Sequence, residues 1–297
     1  MRHSSSFSRA GDQPRSIRLL VVDAFQREGR ERLKSAGATE AGVLYRRILE
    51  RIEPEASVDV LHAADAEPAL PSPQSLSSYH GIVWTGSNLS VLDRQNPSIE
   101  RMLALIRDLL DAGVPNFGSC FALQIATVAT GGRCAESPKG REFGVSRKIQ
   151  LSSEGRAHPL YRGKPPVFDA FTSHADEVVE LGRGARLLAS NEWSRVQGAE
   201  IEDGSASFWA VQYHPEYDCH EVASLCRLRR DDLVEQGCFS SADEADRYSE
   251  SLEALHEDPE RSDLAQALDL GDAVLDEELR TLEVRNWLEQ RVKADGS

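Results

Sequence analysis

Short apolar runs that stop at small residues, alternating with amphipathic stretches, are the feature that most limits what this sequence can fold into. Residues 17–23 (IRLLVVD) form a short apolar run rich in β-branched residues, as a buried strand requires. Leu44, Ile48 and Ile52 at four-residue spacing predict a helix behind a Thr39 cap. Residues 58–61 read as a second strand. Residues 81–84 read as a third, ending abruptly in Thr85-Gly86-Ser87-Asn88. The strongest helical signal covers 98–112, where Ile99, Met102, Leu103, Ile106 and Leu110 share one face. Ser98 is placed as its N-cap, and Gly113 stops it. Residues 114–117 then read as a strand and 121–130 as a helix. This alternation predicts an α/β fold with a doubly wound, mostly parallel sheet.

Past Gly132 the texture changes to short strand-like segments at 143–151, 167–172, 186–189 and 207–213, which predict an antiparallel extension of the sheet. Beyond Asp218 the pattern is helical again. Ala245, Tyr248, Leu252 and Leu255 share one stripe, and Leu275, Leu279, Leu282 and Val292 another. Charge divides the chain at the same point. The last 79 residues hold 21 acidic and 9 basic side chains, a net of −12, leaving −3 of the total −15 for the first 218. Three regions follow: a disordered extension over 1–16, a body over 17–218, and an acidic helical extension over 219–297.

An acidic chain is repelled by nucleic acid and by anionic membrane surfaces. For the nearly neutral body, it is the site chemistry below that argues against nucleic acid. No apolar run approaches the roughly 18 residues that span a bilayer. The five cysteines, Cys120, Cys134, Cys219, Cys226 and Cys238, are odd in number and contain no C-x-x-C pair. They therefore suggest neither a disulfide framework nor a metal site, and a reducing cytoplasm fits them. The N-terminus lacks the apolar core of a secretory signal.

The most informative segment is Gly118-Ser119-Cys120-Phe121-Ala122-Leu123-Gln124, where a strand turns sharply at a cysteine and continues directly as a helix. That arrangement sets Cys120 alone above the sheet edge, at a helix N-terminus that favours thiolate. In a second segment, 208–216, an apolar strand delivers His214 at its end. Pro215 keeps the backbone extended, so Glu216 can project to the same side and orient the imidazole. The strand-end residues Gly86 and Ser87 can point a backbone N–H at a developing oxyanion, with the Phe121 N–H as partner. Ser173-His174, in a fourth segment, reads as pocket wall or substrate contact.

Together, the cysteine elbow, the Y-H-P-E and T-G-S segments and S-H-A-D-E-V resemble class I glutamine amidotransferases, nearest to the glutaminase domain of GMP synthases and stand-alone proteins built like it. The resemblance covers about residues 17–218. It implies Cys120 as nucleophile, His214 as base and acid, and Glu216 as orienting carboxylate. It further implies an oxyanion hole from Phe121 and Gly86 or Ser87, with Gln124, Ser173 and His174 contacting substrate and no cofactor or metal. The chain departs from the family pattern at Ala122 (usually glycine), Leu123 (commonly histidine) and Asn88 (usually proline). An extra methyl group near the elbow leads one to expect an altered substrate fit.

Three readings of function follow. The first is a glutaminase that hydrolyses L-glutamine and passes ammonia to a separate synthase subunit, since this chain contains no phosphate-binding glycine loop. The second is a hydrolase or transferase of γ-glutamyl peptides using the same thioester. The third is a glutamine-binding protein of low activity. The acidic extension offers a surface for intramolecular docking, for a partner, or for a homo-oligomer.

Overall fold

Leu20 and Val22 point into one apolar layer while Leu19 and Val21 point into another. That period of two, apolar on both sides, explains why the first strand reads as an unbroken hydrophobic run. The computed structural model describes residues 17–70, 72–203 and 206–294. The extension expected over 1–16 lies outside the described residues.

The strands are β1 (Arg18–Asp23), β2 (Ser57–His62), β3 (Gly81–Trp84), β4 (Asn116–Ser119), β5 (Arg133–Glu136), β6 (Glu142–Leu151), β7 (Val167–His174), β8 (Asp176–Glu180), β9 (Ala185–Ser190), β10 (Gly198–Asp203) and β11 (Ala206–Val211). Nine of them form one sheet in the order β2-β1-β3-β4-β11-β10-β9-β6-β7, and β5 pairs with β8 separately. The run from β2 to β11 is parallel, and every pairing from β11 to β7 is antiparallel. The chain is thus an α/β fold with a mixed sheet, a parallel core and an antiparallel extension.

The helices Pro97–Asp111 and Phe121–Ala129 cover one face, and Ala41–Ile52 packs Tyr45, Ile48 and Leu49 on the other. Two caps differ from expectation. Asn96 caps the long helix by accepting from the Ser98 N–H at 3.0 Å, with Pro97 in the first turn, while the Ser98 hydroxyl donates to the Ala64 carbonyl. Thr39 caps nothing; its N–H donates to both oxygens of Glu221, a carboxylate 182 residues further on.

The chain beyond Asp218 packs back on the body. Helices Cys219–Leu228 and Ala242–Glu257 share a layer with Leu33 and Leu44. The final stretch is broken into Asp272–Leu275, Glu277–Arg280, Leu282–Trp287 and a π-turn at Leu288–Val292. Its buried apolar residues include Val274, Val284, Trp287, Leu288 and Val292, whereas Leu275, Leu279 and Leu282 of the expected stripe are only partly covered. Trp287 lies so close to the sheet that a Cβ at Gly81 would stand 2.8 Å from its ring. Beside it Glu283 accepts from Lys164 at 3.0 Å and from the Tyr213 hydroxyl at 2.6 Å, all three groups buried.

Candidate active site

In the sheet order β3-β4-β11, three parallel neighbours end side by side, and each delivers one part of the site. β4 ends at Ser119, and Cys120 follows with φ 53° and ψ −103°, a left-handed conformation that is costly for a residue with a side chain. Its N–H donates to the Val211 carbonyl of β11 at 2.8 Å, which secures the turn, and the helix begins at Phe121. A Cβ on Gly118 would collide with the Ala122 methyl group and approach the Trp84 carbonyl to 2.9 Å, so the elbow closes only on a glycine there. Ala122 and Leu123 are fully buried in the core, outside the cleft lining, so the methyl added at the elbow is spent on packing rather than on the cleft.

His214 stands just beyond β11, its own N–H held by the Phe171 carbonyl at 2.8 Å. Its Nδ1 meets Glu216 Oε1 at 2.7 Å across two residues, the pairing that the intervening proline predicts. The carboxylate is tied down further by the hydroxyls of Ser119 (2.9 Å to Oε1) and Tyr45 (3.0 Å to Oε2). Tyr217 stacks on the imidazole, with ring centroids 3.9 Å apart and planes within 3°. Burial pulls the His214 pKa down, but the charges and hydrogen bonds of Glu216 and Cys120 outweigh it and hold it up at about 10. Burial and the Glu216 charge drive the Tyr45 hydroxyl well above its ordinary range, so it stays a donor to that carboxylate.

The turn after β3 presses against the same ring: a Cβ at Gly86 would stand 2.7 Å from His214 Cε1. The Ser87 hydroxyl donates to the Ala24 carbonyl at 2.6 Å and accepts from the Leu89 N–H at 3.0 Å, which commits its side chain to the turn's shape.

A cleft of about 340 Å³ opens over Cys120 and is lined also by Ser87, Phe121, Gln124, Ser173 and His174. His214, Glu216 and Gly86 are buried beneath it. His174 is held on both ring nitrogens: its Nε2 meets Glu142 at 2.8 Å and its Nδ1 the Asp176 carbonyl at 3.0 Å. Gln124 donates to the same carbonyl at 2.9 Å. The Ser173 hydroxyl is buried with no protein partner, and its carbonyl lies 3.9 Å from the Cys120 sulfur.

Sequence reasoning overlooked several contributors. Tyr45 and Ser119 hold Glu216, and no local pattern marks them. Leu228, Arg229, Asp232, Leu233 and Gln236 also line the cleft, so its wall is built partly from the chain beyond Asp218. Arg227, Arg229 and Arg230 form a short basic run that the sequence alone reads as a solvated helix face, yet Arg229 lines the cleft. Other sulfur and imidazole groups of that region point elsewhere: His220 to Glu253, His256 to Asp218, Cys226 to the Ala245 carbonyl and Cys238 to the Arg141 carbonyl.

The sequence model of the class-I glutamine amidotransferase family matches residues 52–224. A γ-glutamyl-L-1-hydroxyisopropylamide hydrolase of a Pseudomonas species is 28% identical over 279 residues, covering 93% of each chain. A glutamine-hydrolysing GMP synthase of Enterococcus faecalis is 32% identical over 136 residues. These cover 46% of this chain and 24% of the synthase, so the match spans about a quarter of that relative. A solved glutamine amidotransferase of Thermotoga maritima shares the fold with a TM-score of 0.65 at 20% identity, covering 93% of this chain and 98% of that one. Among the described residues no helix is long and apolar enough to cross a membrane.

Proposed function

The chain belongs to the class I glutamine amidotransferase family and is an amidohydrolase of that family, and from this premise we propose that it hydrolyses γ-glutamyl amides through a Cys120 thioester. The observation that carries this reading over a glutaminase serving a synthase is the extent of likeness. The γ-glutamyl amide hydrolase matches through 93% of the chain, including the segment that walls the cleft, whereas the GMP synthase matches 46%.

In this reading the Cys120 sulfur attacks the γ-carbonyl carbon, and the oxygen's charge is taken up by the Phe121 N–H and one from Gly86 or Ser87. His214 gives its proton to the departing nitrogen as the C–N bond breaks, leaving a γ-glutamyl thioester. The same imidazole then takes a proton from water, whose oxygen displaces the sulfur to yield glutamate and restore the thiol. Glu216, held by Ser119 and Tyr45, keeps Nδ1 protonated and Nε2 facing the reaction. Gln124, Ser173 and His174 hold the glutamyl head; the free Ser173 hydroxyl is a ready donor.

The test is product release from a panel of γ-glutamyl amides and free glutamine, with Cys120→Ala as control. Turnover of γ-glutamyl amides well above that of glutamine is expected, and Cys120→Ala should lower it at least about 10⁴-fold while the circular dichroism is retained. Turnover of glutamine alone would return the chain to the glutaminase reading.

A further inference from the structure

Two other buried imidazoles, His158 and His174, are held by both ring nitrogens. His174 uses Glu142 and the Asp176 carbonyl; His158 accepts from the Leu160 N–H at 3.2 Å while its Nε2 meets Glu200 at 3.1 Å. His214 cannot be fixed that way, because its Nε2 has to stay available to the sulfur and to the departing nitrogen. The bond from Nδ1 to Glu216 pins one corner of the ring, and the turn at Gly86 limits the Cε1 edge. Neither sets the tilt of the ring plane, which takes a contact over the face.

Tyr217 supplies that contact, 3.9 Å from the imidazole between centroids and within 3° of parallel. The local chain puts it there. The Tyr217 N–H donates to the His214 carbonyl at 3.3 Å, folding the phenol back over the histidine. The next residue, Asp218, caps the helix Cys219–Leu228 by accepting from the Glu221 N–H at 2.9 Å. Tyr217 is itself buried in the layer that joins Leu33 and Leu44 to the helices beyond Asp218, so packed side chains back the ring.

The face of an aromatic ring is negative, and a cation within about 6 Å of its centroid is stabilised. The imidazole is such a cation, held in that form by Glu216 at Nδ1 and by Cys120. Glu216 in turn accepts from the Tyr45 hydroxyl, while the Gly86 turn and the Phe171 carbonyl bring no charge to the ring. Burial and the Glu216 charge drive the Tyr217 hydroxyl well above its ordinary range, so its own ring stays neutral.

We infer that Tyr217 is a positioning residue, which by lying flat on His214 sets the ring plane for proton transfer between Cys120 and the leaving nitrogen and favours the imidazolium over the neutral ring. This rests on the hydrolytic reading above, and adds to it the residue through which the C-terminal helices hold the catalytic imidazole.

The experiment sets Tyr217→Phe, which keeps a ring, against Tyr217→Leu and Tyr217→Met, which remove it; the flexible thioether of the last refills the space should Tyr217→Leu not fold. The His214 titration is followed by NMR of its Cε1 in the free protein, assigned with His214→Gln, and kcat and KM are measured on a γ-glutamyl amide. Loss of the ring should lower the His214 pKa by about 0.5–1.5 pH units, the shift expected of a cation–π contact. It should also lower kcat by about tenfold or more with KM within about twofold. Tyr217→Phe should restore most of both. A titration or a kcat left unmoved in a folded ringless variant overturns the inference. So does an equal loss with Tyr217→Phe, which would assign the effect to the hydroxyl. The titration needs no substrate, so it decides the inference even if no γ-glutamyl amide is turned over, a result that would defeat the hydrolytic reading alone.

Discussion

Tyr213 donates its hydroxyl to Glu283 at 2.6 Å, which links the residue before His214 to the helix Leu282–Trp287. The same carboxylate accepts from Lys164, whose ammonium also donates to the Leu279 carbonyl at 2.8 Å. Glu283→Ala would leave a buried ammonium without its counter-charge. A loss of about 3–5 kcal/mol in urea unfolding is expected, of the size found when one partner of a buried pair is removed. Lys164→Met with Glu283→Leu, which removes both charges, should recover most of it.

Gly86 has no room for a side chain beside His214 Cε1. Because the added methyl group presses edge-on against Cε1, while Tyr217 covers only a face of the ring, Gly86→Ala should displace the imidazole relative to Cys120. A fall in kcat of about 10²-fold is expected, the usual result of a displacement near 1 Å. Thermal unfolding of that variant should show a far smaller effect than the activity does.

The pH dependence of stability follows from His214, whose pKa rises from about 6.5 unfolded to about 10 folded. The contribution of the charged imidazole is complete below pH about 6.5 and is lost as pH climbs toward 10. Glu216→Gln removes the main counter-charge, so its urea midpoint should change less than that of the native chain between pH 6 and pH 10. Parallel profiles for the two proteins would contradict this.

Ala122→Gly removes a buried methyl group and loosens a helix, without touching the cleft. A cost of about 1–2 kcal/mol in stability is expected. The kcat/KM for any γ-glutamyl substrate should stay within about twofold; a change in substrate preference would mean that the methyl is felt at the cleft after all.

What the sequence displayed, and what it hid, depends on distance along the chain. The elbow at Cys120 and the His214–Glu216 pair are local: strand, turn and helix occupy a dozen residues, and Pro215 alone sets the carboxylate's side. Tyr45 is 171 residues from Glu216, and Thr39 is 182 from Glu221, so no window of sequence displays either contact. The final helices defeat a periodicity reading for a different reason. Glu283 is charged yet fully buried, so hydrophobic periodicity assigns the inward face to Leu279 and Leu282 instead of Val284 and Trp287. Arg229 escapes a sequence reading because an arginine in a basic run is ordinarily solvated, whereas here the turn between two short helices places it in the cleft lining.

The division of charge acquires a kinetic meaning once the acidic segment is seen to wall a cleft rimmed by guanidiniums. At long range a net −15 repels any anionic solute; at short range the cleft's arginines attract it. The two fields act over different lengths, and ions at 0.15 M screen interactions beyond about 8 Å. Dilute buffer thus slows the encounter, and moderate salt quiets the distant repulsion before it reaches the guanidiniums. The outer surface sets how often an anion arrives, and the rim sets how long it stays.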